Sequence, residues 1–157
     1  MANSLAETDS AHAQMYLQNA QNYIIRLEKL HQTLETRCEK LLRKDIITFH
    51  EAFPYFAKEY GLTVLDVIAL EPNEGISPKR LASLADLIRK NNNPPLFIEA
   101  QYPSEAALAL SNETGAEIYE LNTVTSGFSG PEAYEEALMQ NLLVLEEALG
   151  TSFLNQP

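Results

Sequence analysis

From residue 45 onward, short apolar runs alternate with amphipathic segments, and this alternation restricts the folds open to the chain. The first run, Ile46–Phe49, is apolar and β-branched and stops at His50, which is typical of a short buried strand. A helical segment follows at once, with aromatic residues three and four positions apart: Phe53, Phe56 and Tyr60. This pairing places the His50 imidazole at the carboxyl end of a strand, the edge where open α/β sheets bind their ligands.

Three further apolar runs predict strands: Val64–Leu70, Leu96–Ala100 and Ile118–Leu121. The intervening segments are predicted helices, and these cover residues 51–60, the segment from Pro78 (capped by Ser77), residues 104–114 and residues 131–149. Strands that are separated by helices favour a parallel sheet with right-handed crossovers. The sequence therefore predicts an α/β fold with a four-stranded parallel sheet flanked by helices.

A long helix is predicted ahead of this sheet, with Asp9 or Thr8 as its N-cap. No Gly or Pro interrupts it before Lys44, and at ~1.5 Å per residue it would be about 50 Å long. Its apolar stripe recurs at threes and fours: Tyr16, Ala20, Tyr23, Leu27, Leu30, Leu34, Cys38 and Leu41. We expect its first turns to project beyond the lobe or to need a partner. The predicted organisation is a long backbone helix over 1–44, an α/β lobe over 45–150 and a tail over 151–157.

Composition excludes some classes of function. The formal net charge of -11 repels phosphate backbones and anionic membranes, so neither nucleic-acid binding nor direct membrane insertion is expected. The single cysteine, Cys38, cannot form an intramolecular disulfide and is predicted to pack as a small hydrophobe. No secretory signal and no apolar stretch of membrane-spanning length are visible, so the chain by itself reads as soluble.

The carboxyl edge of the predicted sheet would collect four polar residues, His50, Glu71, Glu99 and Asn122. Imidazole and carboxylate are ordinary zinc or manganese ligands, and neutral imidazole favours zinc. A simpler interpretation is open for each residue. His50 could be an ordinary hydrogen-bonded histidine, Glu71 a solvated loop residue, Glu99 a carboxylate satisfied by local donors, and Asn122 a turn asparagine.

The segment 50–56, His-Glu-Ala-Phe-Pro-Tyr-Phe, followed by Tyr60 and Gly61, resembles the metal-site segment of a known family. This family comprises the zinc- and manganese-binding solute-binding proteins of bacterial ABC importers, also called adhesin-type metal-binding lipoproteins. The resemblance covers nearly the whole chain, through further segments in the same order: Leu5–Asp9, Leu96–Gln101, Ala116–Asn122, and the last helix with Tyr134 and Asn141.

The resemblance implies roles for the edge residues. His50 would be a direct metal ligand, and Glu99 would support the site or ligate weakly. Asn122 stands where the family usually has the aspartate that supplies the fourth ligand, so it would be a weaker donor for the metal. Glu120 and Thr123 are the alternative donors nearby.

The resemblance also implies what surrounds this chain. A complete member has two lobes joined by a long helix, and the chain would hold the helix and the C-terminal lobe. The missing N-terminal lobe would supply two histidine ligands, and an ABC permease would receive the ion. The parent protein would be extracytoplasmic, either periplasmic or lipid-anchored at the cell surface. His12 and His31 would be solvated helix residues.

Two other classes of function are open. One is an enzyme of the doubly wound α/β type, although the sequence has no glycine-rich phosphate loop and no Gly-x-Ser-x-Gly elbow. The other is a self-association module that uses the exposed part of the long helix as a coiled coil. The metal-binding interpretation predicts that no reaction is catalysed.

Overall fold

The structure of the protein is a computed structural model that describes residues 1–49, 51–68, 76–99, 105–124 and 130–151. The chain divides into two compact units, Met1–Thr36 and Arg37–Pro157. The first unit contains α1 (Ala2–Thr8) and most of α2 (Ala13–Glu39), and a 3-10 turn over Ser10–His12 separates the two helices. Only the last residues of α2 belong to the second unit.

The long helix differs at its start from the prediction. Asp9 was expected to begin the helix, but α1 already precedes it, and the backbone of Asp9 breaks the helix with φ -122° and ψ 76°. Its carboxylate does not cap backbone N–H groups. Instead, Oδ2 lies 2.9 Å from His12 Nδ1 and accepts a hydrogen bond from the Tyr16 hydroxyl at 2.9 Å. These two contacts lower the pKa of Asp9.

Helix α2 ends at Glu39, earlier than the predicted boundary at residue 44. The N–H groups of Lys40 and Leu41 still donate to the carbonyls of Arg37 and Cys38, and contacts with the end of α6 replace the helical ladder from residue 42 on. Leu41 forms an antiparallel bridge with Thr151, and the Leu42 N–H donates to the Gly150 carbonyl at 3.0 Å. The Lys44 ammonium donates to the carbonyl oxygens of Cys38 and Glu39 in the last turn of α2.

The second unit is the predicted α/β lobe. Within the described residues, four strands form one parallel sheet in the order β2-β1-β3-β4. The strands are β1 (Asp45–Thr48), β2 (Thr63–Val67), β3 (Leu96–Glu99) and β4 (Ile118–Leu121). The helices of this unit are α3 (Pro54–Glu59), α4 (Pro78–Lys90), α5 (Glu105–Thr114) and α6 (Ala133–Leu149).

Two helices are shorter than predicted. The structure begins α3 at Pro54 rather than at residue 51, because proline is favoured in the first turn, where its missing N–H costs nothing. The last helix begins at Ala133 rather than at Pro131. Helix α4 begins at Pro78 as predicted, and the Ser77 hydroxyl accepts a hydrogen bond from the Arg80 N–H.

The sheet is buried on both faces. Ile46 and Ile47 point to opposite faces of β1 and are 1% and 0% exposed. On the Ile47 side lies a core cluster to which β1, β3, α4 and α5 contribute: Ile47, Phe49, Ile68, Leu84, Ala85, Ile88, Leu96, Ala107, Leu110 and Ala116. Helix α6 packs against β4, and its Glu146 receives two hydrogen bonds from Arg37, at 2.7 and 2.5 Å.

No helix among the described residues is long and apolar enough to cross a lipid bilayer. Cys38 is 0% exposed, as expected for a cysteine that packs as a small hydrophobe. Burial raises the pKa of its thiol to about 11, from an ordinary value of 9.0.

The raised pKa of Cys38 predicts a pH dependence of stability. The folded chain keeps the thiol proton up to about pH 11, while the unfolded chain loses it above about pH 9. The unfolded state therefore binds fewer protons in this window, and the free energy of unfolding falls as the pH rises from 9 to 11. Urea unfolding across this range should show a steeper decline for the wild type than for Cys38→Ala. Equal slopes would contradict the prediction.

Candidate metal-binding edge of the sheet

The strand order defines a topological switch point at the carboxyl edge of the sheet. The chain passes from β1 to β2 on one side and then returns to β3 on the other side of β1. The strands that follow β1 and β3 in the chain therefore lie on opposite sides of this pair, and open α/β sheets bind ligands at such a switch point. The residues at this point are those that end β1 and β3.

The end of β1 is fixed to β3 by a backbone hydrogen bond. The Phe49 N–H donates to the Phe97 carbonyl at 3.0 Å, and Phe49 is 6% exposed. His50, the strongest candidate from the sequence, follows Phe49 in the chain but lies outside the described residues. Glu71 also lies outside them.

Glu99 is the last residue of β3 and is 4% exposed. Burial of a carboxylate is uncommon, because the charged form loses its hydration. Its Cα partner on the neighbouring strand is Leu121, the last residue of β4. Asn122 therefore lies one residue beyond the level of Glu99, on the adjacent strand.

Asn122 is half-buried, and its side chain and backbone are both engaged. Its Oδ1 accepts a hydrogen bond from the Val124 N–H at 2.6 Å, which closes an Asx turn. Its backbone N–H donates to Asn141 Oδ1 at 2.8 Å, and its backbone carbonyl accepts from Asn141 Nδ2 at 2.7 Å. Oδ1 has a second lone pair, so the Asx turn does not exclude a bond to a metal ion.

The contact of Asn141 with Asn122, at the carboxyl edge of the sheet, was not predicted from the sequence. It lies on α6 and is 5% exposed. A sequence signal for it exists. The position belongs to the buried face of the helix, and a polar residue on such a face needs specific partners. The buried leucines around it are Leu138, Leu142 and Leu145.

The structure also places the alternative donors near Asn122. Glu120 is exposed, and Thr123 is half-buried, as Asn122 is. His12 and His31 are exposed on the first unit, as predicted. Among residues 1–49, 51–68, 76–99, 105–124 and 130–151, no group of three or more His, Cys, Asp or Glu side chains could hold a metal ion.

The fold is that of an α/β lobe of the kind found in solute-binding proteins. Residues 1–148 match the family described as zinc-uptake complex component A, periplasmic. The chain belongs to this family, as the resemblance predicted.

Individual relatives agree with this assignment. The chain is 32% identical over 150 residues to the high-affinity zinc uptake system protein ZnuA of Bacillus subtilis. Among solved structures, a mutant of the laminin-binding adhesin Lmb from Streptococcus agalactiae superimposes with a TM-score of 0.79 at 30% identity. The solute-binding protein FpvC from Pseudomonas aeruginosa, in complex with Mn²⁺, superimposes with a TM-score of 0.76 at 28% identity.

The chain spans about half the length of these relatives. The alignment with ZnuA covers 92% of this chain and 47% of that protein. The structural alignments with Lmb and with FpvC each cover 94% of this chain and 56% of the other. These proportions are consistent with a chain that contains one of the two lobes.

The Asx turn at Asn122 predicts a contrast between two substitutions. Asn122→Asp keeps an oxygen that accepts the Val124 N–H, so the free energy of unfolding should stay close to that of the wild type. Asn122→Ala removes this acceptor and should lower the free energy of unfolding by about 1 kcal/mol. Urea unfolding measures both values, and equal losses in the two variants would contradict the assigned turn.

Proposed function

We propose that this chain carries part of the metal site of an extracytoplasmic solute-binding protein, which delivers zinc or manganese to an ABC permease. His50 is the direct ligand, Asn122 is a weak ligand, and Glu99 supports the site. The observation that carries the proposal is the pairing of β1 with β3. This pairing holds Phe49, the residue before His50, against β3 close to the end of that strand.

Chain connectivity supports a position for His50 near this edge. Consecutive Cα atoms are about 3.8 Å apart across a trans peptide bond. Phe49 is hydrogen-bonded to β3 at the carbonyl of Phe97, and Glu99 lies two residues further along the same strand. The described chain is therefore held beside β3 up to Phe49, the residue directly before His50 in the sequence.

The chemistry of the donors suits a borderline cation. A neutral imidazole binds zinc and manganese, and it favours zinc. A buried carboxylate such as Glu99 orients a ligating imidazole when it accepts a hydrogen bond from the N–H of the second ring nitrogen. Asn122 offers an amide oxygen, which carries one negative charge fewer than the aspartate usual in the family, so its bond to the metal is weaker.

The site of the complete protein extends beyond this chain. The family's missing N-terminal lobe would supply two histidines, and together with His50 and Asn122 these make the four ligands of a closed site. This lobe alone offers one or two ligands, so its own affinity for zinc is low. Binding and delivery to the permease are the proposed role, with no reaction catalysed, because the relatives are metal-binding transport proteins.

The test is a titration of the 15N-labelled chain with zinc, monitored by nuclear magnetic resonance, because this method can measure weak binding. Wild type should show saturable, weak binding that shifts the Phe49 and Glu51 amides. His50→Ala should weaken it by at least about 10-fold, because loss of a direct ligand exceeds the cost of losing a supporting group. His31→Ala is the matched control, since it removes an exposed histidine of the first unit, and should bind zinc like the wild type.

Two results would contradict the proposal. If His50→Ala binds zinc as the wild type does, His50 is not the ligand. If the chain alone binds one zinc ion tightly and His50→Ala abolishes that binding, the site is complete within this chain, and the missing lobe is not needed.

A further inference from the structure

We propose that Asn141 is a positioning residue for the metal site, because it fixes the backbone from which the Asn122 side chain projects. The inference rests on the proposed function and adds a residue that does not itself touch the ion. It depends on the hydrogen bonds that join α6 to the end of β4.

Both polar atoms of the Asn141 side chain bind the same residue. Its Oδ1 accepts from the Asn122 N–H at 2.8 Å, and its Nδ2 donates to the Asn122 carbonyl at 2.7 Å. One hydrogen bond would allow the segment to rotate about the contact. Two bonds of opposite direction fix the rotation as well as the position of Asn122.

The position of Asn122 explains why such a clamp is needed. Strand β4 ends at Leu121, so the sheet ladder does not satisfy the backbone of the next residue. Backbone groups in a partly buried segment need partners. Asn141 supplies both, and its helix is held by buried leucines on either side of it, so the clamp extends the fixed part of the sheet by one residue.

The clamp also lies at the base of a strained turn. The Asx turn from Asn122 Oδ1 to the Val124 N–H holds Val124 at φ 63°. This left-handed conformation is disfavoured for a β-branched residue and persists only where its surroundings impose it. By holding the backbone of Asn122, Asn141 fixes the base of the turn that sets the direction of the Asn122 amide.

A metal ligand must be held close to its productive geometry, and the groups that hold it influence affinity without touching the ion. Replacing such supporting groups typically costs 10- to 100-fold in metal affinity. Asn141 meets the structural requirements for this role: it is buried, it is fixed by its helix, and it binds a candidate ligand residue directly.

The first test variant is Asn141→Asp. The carboxylate has nearly the same shape and can still accept the Asn122 N–H, but it cannot donate to the Asn122 carbonyl. We expect zinc binding in the NMR titration to weaken about 10-fold while the fold is retained by circular dichroism. Gln140→Glu is the matched control, because it makes the same amide-to-acid change at an exposed position of the same helix. It should bind zinc like the wild type.

A thermodynamic cycle separates positioning from general support of the fold. If Asn141 acts through Asn122, Asn141→Asp should weaken zinc binding in the wild-type background but not further in an Asn122→Ala background. If the role of Asn141 is purely structural, Asn141→Asp should lower the zinc affinity equally in both backgrounds. Alternatively, it should not lower the affinity at all at temperatures at which the variants are folded. Either of these results overturns the proposal.

The outcomes also separate this proposal from the function on which it rests. If His50→Ala loses zinc binding while folded Asn141→Asp and Asn122→Ala keep it, the metal site stands and the positioning role is wrong. If His50→Ala changes nothing, the proposed function fails, and the positioning role fails with it.

A second variant and a measurement on the wild type cover the case in which Asn141→Asp does not fold. Asn141→Ala removes both hydrogen bonds without adding a charge, and the same cycle applies to it. In the unmodified chain, the amide of Asn122 should exchange with solvent at least about 10-fold more slowly than in an unfolded peptide. Exchange at the unprotected rate overturns the proposal whatever the variants show.

Discussion

The backbone pairing of β1 with β3 holds together the two strand ends on which the proposed site is built. Strand β1 lies between β2 and β3, so both of its edges are paired, and the burial of Ile46 and Ile47 shows that both of its faces are covered as well. The strands that follow β1 and β3 in the chain lie on opposite sides of this pair, which is the arrangement in which open α/β sheets bind ligands.

In the proposed site, Asn122 stands where the resemblance to the family places an aspartate ligand. An aspartate there would bring a negative charge to the metal, whereas the amide would bring only a dipole. The side-chain oxygen of Asn122 also accepts the Val124 N–H and so closes a turn. The backbone of Asn122 is held by its two hydrogen bonds to the Asn141 side chain. A weaker donor is thus combined with a firmly held backbone.

Much of the fold could be predicted from the sequence because its signals are local. The apolar runs located β1, β3 and β4, and the Ser77-Pro78 cap located the start of α4. The early end of α2 could not be predicted in this way. It depends on the bridge between Leu41 and Thr151, which joins residues far apart in the chain. The tail predicted from residue 151 likewise begins with a buried, paired threonine.

The site was predictable in kind but not in arrangement. Parallel strands imply a shared polar edge, and this reasoning reached Glu99 and Asn122 correctly as residues at the ends of neighbouring strands. Strand order is a long-range property, so periodicity could not single out β1 and β3 as the switch point. The contact of Asn141 with Asn122 spans 19 residues and was missed for the same reason. The ligand roles of His50, Glu99 and Asn122 stay predictions.

The most direct measurement is anomalous diffraction at the zinc absorption edge from crystals of this chain grown with zinc. The account predicts an anomalous peak about 2.0–2.1 Å from an imidazole nitrogen of His50, on the sheet edge that carries Glu99 and Asn122. A His50 ring that is turned into the core or placed on the opposite rim of the sheet, with zinc bound only at His12 or His31, would contradict it.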